Sequence, residues 1–129
     1  MNELEREASR WLLKAGEDLL AARLLLGADP PLGEPAAYHC QQAAEKLLKG
    51  VLIRHGAEPE RTHDLARLAA RVASAEPGLA EAAAAVAPLT SWSVITRYPD
   101  QDDVDPVTPE EVEVALRAVE ALRGAIGSP

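Results

Sequence analysis

The chain has 129 residues, a formal net charge of −8 and a single cysteine. That length fits one domain, residues 1–129, with a real hydrophobic core. The acidic balance argues against a general binder of DNA or of an anionic membrane, because both need accumulated positive charge.

No apolar run reaches the roughly 18 residues of a membrane span. The opening MNELEREASRWLLKAGEDLL mixes acidic with basic residues and lacks a signal-peptide pattern, so a cytoplasmic protein is expected. One cysteine cannot close an internal disulfide, and Cys40 falls on an apolar helix face, where a buried inert thiol is expected. The histidines at 39, 55 and 63 share no metal-ligand spacing with Cys40 or with one another, so neither a metal nor another cofactor is expected.

In chain order, residues 3 to 26 place Leu4, Ala8, Trp11, Leu12, Ala15, Leu19, Ala22 and Leu26 at helical spacing, which predicts a first long helix. The connector Gly27 to Pro35 holds three prolines and two glycines and returns the chain antiparallel. The stretch Ala36 to Ile53 is an amphipathic helix around which the rest is organised. At 100° per residue, Ala36, Ala37, Cys40, Ala43, Ala44, Leu47, Leu48 and Val51 share one face. The alanines let a neighbouring helix approach closely. Tyr38, Gln42, Glu45, Lys46 and Lys49 fall on the other face, with His39 nearby. His39, Gln42, Lys46 and Lys49 form a row at steps of 3, 4 and 3 residues, either a solvated face or a ligand surface. The helix is expected to stop at Arg54-His55-Gly56, with a left-handed glycine and basic side chains over the last carbonyls.

Thr62 reads as the N-cap of a third helix with Asp64 in its first turn and Leu65, Leu68, Ala69 and Val72 on one face. From Leu79 the run Ala82, Ala83, Val86 and Leu89 continues helically, with Pro88 kinking or restarting it. Thr96 to Pro106 is acidic, contains X-Pro bonds and is expected to be an extended loop. It lacks the glycine that a calcium loop needs. Thr108-Pro109-Glu110-Glu111 combines an N-cap, a first-turn proline and a capping-box glutamate, and opens a last helix through Ile126. No strand-like alternation or repeat of fixed period survives.

Four motifs in order carry a resemblance. They are WLLKAGEDL from Trp11, AYHCQQAAEKLLK from Ala37, THDL from Thr62 and RYP from Arg97. Together they resemble the HEPN domain over nearly the whole chain. The resemblance implies an all-α up-and-down bundle of about five helices, commonly a homodimer, and agrees with the helix reading. Apolar surface beyond one narrow stripe on several helices likewise points to a symmetric dimer or a higher homo-oligomer.

Many HEPN proteins are ribonucleases in which an arginine is followed, after four to six residues, by a histidine. Here positions 102 to 104, counted from Arg97, are Asp102, Asp103 and Val104, and no histidine has an arginine at the required upstream spacing. The usual proton-transfer partner, worth about a hundredfold to ten-thousandfold, is missing. The better match is the non-catalytic branch that accompanies a small nucleotidyltransferase and binds a nucleotide or related phosphate ligand. On that resemblance His39, Gln42, Lys46, Lys49, His63, Asp64, Arg97 and Tyr98 are the candidate nucleotide-binding residues. Two alternatives are a ribonuclease toxin of a toxin-antitoxin pair with a divergent site, and a dimeric interaction module without ligand. A structural role for Arg97, paired with Asp18 or Glu45 inside the bundle, competes with its role as a ligand contact.

Overall fold

The computed structural model describes residues 1–92 and 107–127. Among these residues there are five α-helices and no strand: α1 Glu3–Leu26, α2 Gly33–Arg54, α3 Leu65–Ala75, α4 Ala80–Val86 and α5 Pro109–Ile126. Short 3₁₀ turns at Pro77–Leu79 and Ala87–Ser91 flank α4. The fold is the expected all-α bundle. α1 and α2 run up and down as an antiparallel hairpin, with Asp18 opposite His39 and Lys46 while Leu12 lies against Gly50.

The hairpin is the largest interface because its facing side chains are small. Ala8, Ala15 and Ala22 of α1 meet a face of α2 on which Ala36, Ala37, Ala43 and Ala44 have no exposed surface. Gly50 continues that contact. A Cβ there would come 2.9 Å from the Leu12 side chain, so glycine sets the helix separation at this end. Leu47, Leu48 and Val51 of α2 are fully buried with Leu65, Leu68, Val72, Val86, Leu116 and Leu122. Each such leucine contributes about 2 kcal/mol of hydrophobic stabilisation.

Helix ends follow local chemistry. Asn2 caps α1 and Thr108 caps α5, each in a reciprocal capping box with a glutamate three residues on. Gly56 takes φ +86° after α2, as its position required. Arg54 and His55 do not sit over the α2 carbonyls but converge on Glu76 at the end of α3, at 2.7–2.8 Å. A carboxylate is a stronger acceptor for a cation than a helix-end carbonyl.

Two expected boundaries shift. α2 begins at Gly33, ahead of Ala36, because Pro35 fits a first helical turn, where its missing N–H is not needed. The cap of α3 is Asp64 and not Thr62. The Asp64 carboxylate accepts from the Arg67 N–H, while the Thr62 hydroxyl accepts from the Asp64 N–H at 3.1 Å. A carboxylate at the positive end of the helix dipole outcompetes a hydroxyl. Pro88 acts as expected: α4 stops at Val86 and the chain tightens into a 3₁₀ turn. The loop expected from Thr96 to Pro106 lies outside the described residues.

Candidate functional site

The polar residues of α2 do not form one solvent-facing row. They separate into two clusters, each built from a carboxylate, a lysine and a histidine. In the first, Asp18 of α1 sits in the buried stripe between Ala15 and Ala22. One of its oxygens lies 2.9 Å from His39 Nδ1 and the other accepts from Lys46 Nζ at 2.6 Å. A carboxylate only accepts, so the His39 Nδ1–H donates, and Nε2 has no hydrogen-bond partner among the described residues. The side chains of His39 and Lys46 remain 33% and 28% exposed.

In the second cluster Glu45 belongs to the core edge and not to the exposed face. Its side chain is 7% exposed and that of Lys49 is 6% exposed. Glu45 accepts from Lys49 at 3.0 Å, from the buried Gln41 amide at 3.3 Å and from His63 Nδ1 at 2.6 Å. Lys49 also lies 5.8 Å from the centroid of the Trp11 ring. Burial opposes ionisation of Glu45. The hydrogen bonds from His63 and Lys49 outweigh that penalty and hold the carboxyl below its usual value.

Of the candidate residues, the structure brings His39 and Lys46 together on Asp18, and Lys49 and His63 together on Glu45. Gln42 donates to Gln41 and so adjoins the second cluster. Asp64 serves as a helix cap. Arg97 and Tyr98 lie outside the described residues. Both lysines hold carboxylates, Lys46 that of Asp18 and Lys49 that of Glu45.

Asp18 and Glu45 are the organising residues, and the sequence offered a signal for Asp18. It is an ionisable residue at a core-facing position of an apolar stripe, which requires partners from another element. Cys40 is fully buried, and desolvation pushes its thiol up to about 12. No group of three potential metal ligands occurs among the described residues. No helix among them is long and apolar enough to cross a membrane.

The fold and the paired-charge seam define an all-helical bundle in which one central helix carries both the core and the polar site. The HEPN domain family model matches residues 8–128, and the chain belongs to that family. It is similar to the crystal structure of TT1696 from Thermus thermophilus, with a TM-score of 0.72 and 30% identity. That match covers 92% of this chain and 94% of the other. No curated protein matches.

Proposed function

We propose that this HEPN protein binds a nucleotide or related phosphate ligand and works as a homodimer beside a nucleotidyltransferase partner, without cleaving RNA itself. The observation that carries the reading is the Asp18–His39–Lys46 cluster, in which a buried carboxylate holds a partly exposed imidazole and a partly exposed ammonium group. It offers a cation and an oriented imidazole whose Nε2 is unengaged by any described residue, so phosphate oxygens find two nitrogen donors on one helix face when the imidazole is protonated. The missing histidine downstream of Arg97 favours binding over cleavage.

The dimer reading draws on α1. Leu13, Leu20 and Leu24, spaced by seven and four residues, are 55%, 61% and 67% exposed. Leu20 also lines a groove of about 540 Å³ between α1 and α5, together with Gly16, Arg123 and Gly124. The Arg123 guanidinium lies over Gly16 without a carboxylate partner among the described residues. A two-fold axis beside α1 would cover both leucine rows.

Calorimetric titration with ATP, GTP, CTP and UTP tests the ligand. Heat from at least one is expected, and none from all four would sink the reading. In parallel, single-stranded RNA should stay intact, and cleavage that Arg97→Ala abolishes would instead make the protein a ribonuclease. Light scattering at micromolar concentration should report a dimer or larger.

A further inference from the structure

On the outer side of the α1–α2 hairpin, Arg10, Trp11, Lys14 and Lys46 line a shallow hollow of about 240 Å³. Arg10 and Lys14 are one helical turn apart, so their alkyl stems flank the half-buried indole from the same element with the head groups at the rim, and Lys46 closes the side toward α2. The chemistry is unusual in a chain of net charge −8, since three cationic residues line the hollow beside Trp11 and a fourth, the buried Lys49, lies 5.8 Å from the ring centroid. Arg10 makes no ion pair with any described residue. Lys14 has only a 3.5 Å contact to Glu17, with both side chains about two-thirds exposed, a pairing that solvent screens and a better anion displaces. Lys46 is anchored by Asp18, which fixes its alkyl stem as a wall of the hollow.

We infer that this hollow is a subsite for a planar aromatic ring tethered to an anionic group, the ring against Trp11 and the anion between Arg10 and Lys14. An indole offers a face on which any base can stack, and two cations a turn apart match a di- or triphosphate. Size narrows the class. The volume is below that of a pocket that encloses a drug-sized ligand, about 300 Å³ or more, so it takes one ring system and leaves the anion at the rim. Three cations are too few for the long row of backbone contacts that holds a nucleic-acid polymer in physiological salt. The ligand class is therefore a mononucleotide or a similar aryl phosphate. The assignment rests on the nucleotide reading above and extends its site from the Asp18–His39–Lys46 cluster, through Lys46, to Trp11 and Arg10.

Calorimetry with ATP, adenosine and tripolyphosphate, on the parent chain and on Trp11→Leu, Trp11→Phe and Arg10→Ala, tests it, with melting temperature recorded for each. ATP should bind more tightly than either fragment. Trp11→Leu should weaken ATP by about tenfold or more and Trp11→Phe should retain most of the affinity, since a phenyl ring still stacks. Arg10→Ala should weaken ATP and tripolyphosphate but not adenosine. If Trp11→Leu fails to fold, Arg10→Ala, at an exposed side chain, decides. Parent-strength ATP binding in both Trp11→Leu and Arg10→Ala would overturn the subsite and leave nucleotide binding elsewhere intact. A parent chain that binds none of the probes nor any other nucleoside triphosphate would overturn both.

Discussion

The two charged clusters of α2 have the same ingredients and opposite surroundings. Lys49 and Glu45 are 6% and 7% exposed, whereas Lys46 and Asp18 are 28% and 12% exposed. Distance does not separate them, since the lysine contacts are 3.0 Å and 2.6 Å. Solvent does. Between Glu45 and Lys49 almost no water remains to replace a lost partner, so that ion pair supports the fold, while His63 reaches in from the surface with its side chain 51% exposed. Around Asp18 water reaches the cation and the imidazole, so the same chemistry stays available to a ligand. Two lysines one turn apart on α2 thus differ: Lys49 is locked in the interior and Lys46 stays at the edge of the water.

The sharpest way to break this comparison is to remove one lysine at a time. Lys49→Met leaves Glu45 short of a partner in the interior and should cost about 3 kcal/mol. Lys46→Met, beside water, should cost about 1 kcal/mol. The double substitution Glu45→Gln with Lys49→Met should recover much of the first loss, because no uncompensated charge is left. Urea unfolding measures all three, and equal losses from the two single substitutions would dissolve the distinction.

Acid sharpens the same point with a smaller effect. A carboxyl held below its usual value in the folded chain adds stability that is complete above the unfolded value, about 4.3 for Glu. That stability is lost as pH falls through the folded value. Glu45 is such a group, with burial opposed and outweighed by His63 and Lys49. Between about pH 5 and pH 3 the parent should therefore lose stability more steeply than Glu45→Gln. Parallel profiles would mean that Glu45 contributes nothing to acid sensitivity.

The smallest expected effect tests how closed the core beneath the clusters is. Cys40 has no exposed surface and its thiol is pushed up to about 12 by desolvation. An aromatic disulfide reagent at about pH 8 should leave it unmodified in the native protein and label it fully in urea. Rapid labelling of the folded chain would show that the α1–α2 contact opens far more readily than its packing implies.

Most of the architecture was legible from residue order alone. Helical spacing placed α1, α2 and α5, and the capping box at Thr108 to Glu111 marked the start of α5 to the residue. The buried set Val112, Ala115, Leu116, Val119, Leu122 and Ile126 is the periodic set. These features depend on chemistry within a turn or two, where the sequence holds all the relevant neighbours. The site was legible only as a list of residues. Which carboxylate each lysine and histidine meets depends on Asp18 arriving from α1 and His63 from the connector before α3, at separations of 18 to 28 residues. A helical wheel assigns Glu45 and Lys49 to the polar side because it knows only one helix. Packing of α1 and of the segment before α3 turns that side into interior at Glu45 and leaves it open at His39. Burial is a property of the neighbours, and the tertiary structure alone supplies them.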